Sequence, residues 1–415
     1  MDTKGKTGIS RLESLKTAVL TQLEYLQEND PKCNVTIVTF GSLVTIIGHD
    51  GTKTDVPSHL FARMDTLVEY GRRYSETHTS AGIEKSFSFL ERTVRSLSAN
   101  GGTPLGPALS LSVGIAGCHA GSRVMVFTDG VANIGVGLLT KYGDKYEDRS
   151  GFYRQVGATA AQCGVTISVV TVADEDCSLA NLGVAAEASG GSVDLVDPAE
   201  MERAMKEFLA RKTLGTMARV SLFANPDVVR VTLASTLPAD SSNLPKYVTS
   251  IEVPVLDEKT DMSFFLEPVD GRCVSADIQL QLRFVTAQKE EIVLVVTERV
   301  PIMKDRNAIE DNVNSAAISI ASIRRAASLA SLDQYQDARI LLISTQRLLQ
   351  RTLKTEQNQR DYLSFISQAE KLDQFMRESQ RIESLFGKAA NRDDNASKSI
   401  FSMKSLSYAD FSRRN

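Results

Sequence analysis

The chain has 415 residues, 42% of them hydrophobic, which is room for roughly two or three domains with ordinary cores. Its formal charge is −4, and its 47 Lys and Arg are interspersed with 51 Asp and Glu, which excludes a basic nucleic-acid footprint. Four scattered histidines and five widely spaced cysteines with no C-x-x-C pair leave little material for a histidine-based catalytic site, a zinc finger or a disulfide framework.

MDTKGKTGISRLESLKTAVL, at the start, holds no apolar signal core, and no later run has the roughly eighteen apolar residues of a membrane span. With the cysteine usage, this predicts a cytoplasmic protein. Leu12, Leu15, Ala18, Val19, Leu23 and Leu26 fall at helical spacing over 10–26. NVTIVTF (34–40) and LVTIIG (43–48), separated by Gly41, predict a hairpin. Then follow a helix at LGPALSLSVGIAG, a strand at RVMVF, a helix at FYRQVGATAAQC and a strand at VTISVVTV (165–172). A helix at LANLGVAAEAS, a strand at SVDLVD (192–197) and a helix at AEMERAMKEFLARK complete the alternation. Strands alternating with helices predict a doubly wound α/β domain over 1–215.

From 216 to 304 the period becomes two, in RVSLFA, VVRVTLAS, YVTSIEVPV, MSFFLEPV, VSADIQLQLRFVTA and EEIVLVVTERV, which predicts an antiparallel β-sandwich. Helical spacing returns over 305–387 and predicts a small all-α bundle. The Ser-, Asn- and Asp-rich segment 388–415 reads as a flexible tail with IFSM as a short docking motif.

GSRVMVFTDG (121–130) is an apolar run that stops at Thr128, Asp129 and Gly130. In open α/β sheets ligands gather beyond the carboxyl ends of the strands, where Asp129 falls. GGTPLGPAL (101–109) places Thr103 after two glycines on a second loop. A hydroxyl and a carboxylate on adjacent loops suit Mg²⁺, which takes few protein oxygens and keeps several waters. Asp129 also reads as an ordinary turn acid within T-D-G. Pro107 and Ala108 stand where a phosphate-binding loop needs Lys and Ser or Thr. The glycines and aliphatics of GVANIGVGLL (130–139) favour packing over ligand contact, and ADEDC (173–177) reads as a solvated loop or a partner-facing rim. Cys118 and His119 lack a third orienting group for nucleophilic catalysis, and RRAAS (324–328) resembles a basic kinase site but lies mid-helix.

GGTPLGPAL followed by RVMVFTDG resembles the von Willebrand factor A (VWA) fold. Its metal-ion-dependent adhesion site takes an Asp and two Ser from a D-x-S-x-S loop, a Thr from a second loop and an Asp from a third. Thr103 matches the second element and Asp129 the third, whereas no D-x-S-x-S precedes the first helix. M-DTKGKTGIS reads as the end of such a loop, so the resemblance implies a trunk lacking its first strand, with the remaining ligands upstream. Over most of the chain, NVTIVTFGSLVTIIGHDG, ALSLSVGIAGCHAGSRVMVFTDGVANIGVGLL and GFYRQVGATAAQCGVTISVVTVADEDCSLANLGVAAEASGGSVDLV are similar to the trunk of the COPII inner-coat subunits. That trunk is followed in the family by sandwich strands and a helical domain. The family's zinc finger and gelsolin-like domain are absent here. The resemblance implies a non-enzymatic interaction scaffold in vesicle trafficking, with a partial Mg²⁺ site at Thr103 and Asp129 to which a partner's acidic side chain adds a ligand. Its setting would be the cytoplasm or a membrane periphery. The alternative is the C-terminal regulatory part of a larger protein with an upstream GTPase or zinc-finger domain.

Overall fold

A computed structural model describes residues 10–413 except 79–80, 100, 140, 143–144, 147–148, 173–176, 197–211, 234–246, 270, 287 and 387–393. The helix expected over 199–212 falls outside the described residues but for its last position, as do the acidic residues of 173–176. The chain divides into two compact units, Met1–Lys212 with Asp393–Asn395, and Thr213–Arg392 with Ala396–Asn415.

In the first unit, α1 (Arg11–Asn29) starts where Ser10 Oγ accepts the Glu13 N–H at 3.2 Å, an N-cap made by a residue type that favours that position. Its Leu15, Ala18 and Val19 pack on Met125, Phe127 and Val170, and its Leu20 and Leu23 on Ile83, Leu90 and Val94. The expected hairpin is β1 (Ile37–Phe40) against β2 (Val44–Ile47), extended by β3 (Lys53–Asp55). Helices α2 (Met64–Thr77) and α3 (Ile83–Ser96) follow; the sequence reading assigned neither. Gly71 inside α2 reads as a helix weakener, yet the packing requires it. A Cβ there would lie 2.3 Å from the Leu111 carbonyl of α4 (Leu105–Ala116), and one on Gly114 would lie 2.1 Å from the Val68 carbonyl. The two helices cross backbone to backbone.

Strands β4 (Arg123–Thr128), β7 (Thr166–Val172) and β8 (Val193–Val196) form a parallel sheet in the order β4-β7-β8. Between them in sequence lie a small ribbon, β5 (Lys141–Tyr142) with β6 (Lys145–Tyr146), and helices α5 (Ser150–Gln162) and α6 (Leu179–Ser189). The single doubly wound sheet expected from the sequence is corrected in one respect: β1–β3 form a separate antiparallel sheet. Among the described residues no ladder joins β1 to β4. The apolar runs that suggested one sheet are instead covered by common helices, since α4 packs on both β1 and β4 and α1 reaches both Met125 and Ile37.

The second unit begins with β9 (Thr213–Ala224), β10 (Val229–Leu233), β11 (Val248–Asp257), β12 (Phe264–Pro268), β13 (Ser275–Val285) and β14 (Glu291–Pro301). They form a four-stranded antiparallel sheet, β11-β9-β13-β14, and a two-stranded one, β10-β12. Leu222, Ala224, Val229, Ala276 and Ile278 make a shared core. Helices α7 (Arg306–Asp311), α8 (Ser315–Ser331), α9 (Tyr335–Arg351), α10 (Glu356–Phe386), α11 (Asp394–Lys404) and α12 (Tyr408–Arg413) follow. The flexible tail expected over 388–415 is corrected, because α11 and α12 are ordered helices. Ile400, Met403, Leu406 and Phe411 are buried with Ile323, Phe365 and Met376 in one helical core, so the polar composition of the segment conceals an amphipathic face.

Arg324 of α8 is buried and donates from Nε to the Leu406 carbonyl at 2.9 Å while pairing with Asp261, which also accepts the Tyr408 N–H. Lys259 Nζ bonds Asp410 at 2.7 Å. The RRAAS segment is therefore structural: its Arg324 is engaged and its Ser328 is buried. Removing one partner of a buried pair strands the other, at about 3 kcal/mol or more. As Asp261 keeps 30% of its side-chain exposure, Arg324→Ala should lower the unfolding free energy by about 2 kcal/mol in urea denaturation. An unchanged midpoint would contradict this account.

Candidate docking site at the strand ends

Along β4 side chains alternate between buried and half-buried, and the strand ends on buried Thr128. The Thr128 hydroxyl donates to the Gly130 carbonyl at 2.8 Å and accepts the Gly130 N–H at 3.2 Å. Thr128 thus closes the T-D-G turn. The Asp129 carboxylate faces α1, with Arg11 Nη1 4.0 Å from Oδ2 and only 13% and 15% of the two side chains exposed.

Thr103 is brought to the same rim by Asn133. The Asn133 side-chain oxygen accepts the Thr103 N–H at 2.6 Å, and the Asn133 N–H donates to the Thr103 carbonyl at 3.1 Å. Thr103 Oγ1 stands 3.6 Å from the point a Cβ on Gly130 would occupy, so the hydroxyl borders the turn that carries Asp129. Gly101 lets the loop enter this space. Its φ is +75°, and a Cβ would fall 1.9 Å from Ser42 Oγ.

The 130–139 loop packs, as its aliphatics predict. Ile134 and Val136 lie on the cluster of Val44, Ile46, Phe61 and Leu67, and the Val136 N–H donates to the Phe61 carbonyl at 2.8 Å. The Tyr153 hydroxyl donates to the Gly137 carbonyl at 2.8 Å, and burial pushes its phenol well above the ordinary range. Cys118 lies beyond the far end of α4 from Thr103, its Sγ 3.8 Å from the Arg72 carbonyl, so the Cys118–His119 pair takes no part in the rim.

Sequence reasoning missed three residues here. Arg11 and Asn133 act through spatial neighbours that no local pattern reveals. Asp394 accepts the N–H groups of Cys177 at 2.6 Å and Leu179 at 2.7 Å, across 217 and 215 positions of sequence. It serves the N-terminus of α6, where Ser178 is left-handed and makes no side-chain cap.

Thr103 and Asp129 offer hard oxygens at one rim, which fits Mg²⁺ in donor chemistry. They would hold the ion, and it would supply positive charge to a partner's carboxylate. Among the described residues no group of three or more His, Cys, Asp or Glu converges on a metal position. The Arg11 guanidinium already presents a cation to Asp129, so an ion must compete with it.

A unit of parallel strands wrapped by helices, with a hydroxyl and a carboxylate at its strand ends, followed by antiparallel sheets and helices, has the VWA-like fold of the coat-trunk type. The human COPII-coat protein Sec24c superimposes with a TM-score of 0.65 at 11% identity, over 97% of this chain and 57% of that one. A von Willebrand factor type A protein from Catenulispora acidiphila gives 0.53 at 13% identity, over 94% of this chain and 84% of that one. In sequence, the chain is 24% identical over 371 residues to Circularly permutated Ras protein 1 of Dictyostelium discoideum, covering 87% of this chain and 42% of that protein. The chain thus spans less than half the length of that relative. No protein-family model matches the sequence.

Gly101→Ala must place a side chain in left-handed backbone and against Ser42. It should destabilise the chain by about 2 kcal/mol in thermal or urea unfolding; a neutral substitution would mean that the loop does not run as described.

Proposed function

We propose that the chain is a non-enzymatic protein-interaction scaffold, and that its strand-end rim docks an acidic side chain of a protein partner. The observation that supports this reading is that the Thr103 hydroxyl borders the turn that carries Asp129 in a coat-trunk-like fold. The antiparallel strands and helices after the trunk, read as a sandwich and a bundle, enlarge the surface available to partners. In this proposal Mg²⁺ is a weak shared ion at Thr103 and Asp129, completed by water and the incoming carboxylate. The partner is a coat or trafficking component met in the cytoplasm or at a membrane periphery. This is supported by the likeness to Sec24c, a COPII-coat protein; no helix among the described residues is long and apolar enough to cross a membrane.

A second reading has its own support. The relative matched in sequence is named a circularly permutated Ras protein, and the chain spans 42% of it. On this reading the chain is the regulatory part of a larger protein whose GTPase domain lies elsewhere, since the G-x-x-x-x-G-K-[ST] pattern does not occur in these residues. The full-length transcript decides it: an in-frame GTPase domain on either side of these residues supports the regulatory reading, and an open reading frame without one removes it.

Calorimetric Mg²⁺ titration tests the rim. Wild type should bind weakly, and Asp129→Ala should lose the heat. Arg11→Ala, by removing a cation within Coulombic reach, should bind at least about tenfold more tightly. Equal heats from wild type and Asp129→Ala would remove the ion from the proposal. An acidic peptide that binds wild type and Asp129→Ala equally would remove the rim as its dock.

A further inference from the structure

The four-stranded sheet of the second unit has two edges, and they are treated differently. β11 carries Pro254, which has no N–H to offer, and its ladder with β9 shifts register between Leu256 and Asp257. Both features discourage another strand from adding there. β14 has neither guard. Its eleven residues pair with β13 without a shift from Ser275↔Pro301 to Val285↔Glu291, and no proline interrupts them before Pro301. At its centre Val293, Leu294, Val295 and Val296 are 46%, 52%, 52% and 58% exposed. Because successive side chains point to opposite faces, four exposed apolar residues in a row leave the edge and both faces of the strand open. A long, regular, apolar edge is a template for strand addition.

The sequence of β14 indicates what adds. In an antiparallel pair about a two-fold axis, the residues whose N–H and C=O point outward must face one another. Opposed residue numbers must therefore sum to an even value, so the axis passes through a residue. An axis at Leu294 sets Glu290 against Glu298, and an axis at Val296 sets Leu294 against Glu298 and Val293 against Arg299. An axis at Val293 leaves Glu290 and Glu291 facing valines. An axis at Val295 places Leu294 against Val296, Val293 against Thr297 and Glu291 against Arg299 at both ends, with Ile292 facing Glu298 and, beyond the strand's start, Glu290 facing Val300 as its mismatches. Among the registers centred on the exposed run, it alone puts opposite charges face to face. Arg299 already bonds Asp277 on β13 at 2.6 Å, so the partner's Glu291 would continue a row of alternating sign across the joined sheets.

We propose that β14 is a homodimer interface in which two copies of the chain pair antiparallel about Val295, joining two four-stranded sheets into one. The contact is isologous and closes on itself, which consumes both free edges and prevents open-ended growth. It is independent of the rim and of any metal.

Sedimentation velocity and light scattering of the full chain at micromolar concentration should give a dimer. Val295→Lys sets two like charges on the axis at an exposed position, and should weaken dimerisation at least about tenfold. Ile340→Lys, on the exposed face of α9, should leave it unchanged. Cysteine cross-linking fixes the register separately. A residue on the axis faces its own copy about 5 Å away between Cα atoms, within disulfide reach, so Val295→Cys should cross-link on mild oxidation. Val293→Cys and wild type should not. The proposal is overturned by a monomeric wild type, by a dimer that survives Val295→Lys, or by cross-linking at Val293 equal to that at Val295.

Discussion

Helix α4 is buried on nearly every side, and the first unit is arranged around the closeness with which backbone must approach it. A helix apolar all round has no face for solvent, so it demands neighbours in every direction. α2 meets it through Gly71 and Gly114, where any side chain would strike a carbonyl. The 130–139 loop meets it at Gly106, where a Cβ would stand 1.9 Å from the Val136 carbonyl. Strands β1 and β4 use it as a common wall. Because the Thr103 loop leads directly into this helix, the position of the hydroxyl follows from core packing and not from an independent loop preference. The rim inherits the rigidity of the core.

In the second unit the organising element is a charge. A guanidinium in the interior is tolerated only when its donors are used, and Arg324 uses them on Asp261 and on the Leu406 carbonyl. The latter is a backbone acceptor near the end of a helix-turn segment, where carbonyls lack intrahelical partners. One side chain therefore fixes the β11–β12 connection and the segment between α11 and α12, while Ile400, Met403 and Phe411 supply the apolar burial. Charge sets the register, and hydrophobic area holds it.

Much of the fold was legible because it follows from period. The hairpin of β1 and β2, the strands β4 and β7, and the long alternating strands of the second unit each announce themselves by residue type and spacing. What escaped was decided by tertiary contact. α2 hides because Gly71 looks like a break until α4 is in place. The C-terminal helices hide because their apolar residues are sparse among serines, and only Arg324 and the helical core reveal which face matters. At the candidate site the motifs place Thr103 and Asp129 on two loops, and the structure sets the Thr103 hydroxyl beside the turn of Asp129. Arg11 could not be read from a motif, since nothing in S-R-L-E-S indicates that its guanidinium comes to rest beside a carboxylate 118 positions onward.

Asp394 and the residues on either side of it belong with the first unit, although the segments that flank Asp393–Asn395 belong with the second. Helix α6 leaves the ribosome long before the acid that completes its N-terminus, and until then the amides of Cys177 and Leu179 must find water or other acceptors. Domains emerging in order usually settle in that order. Here the earlier-made unit acquires its last internal bonds only after the strands and most of the helices of the later one have been synthesised, so its maturation is timed by chain elongation.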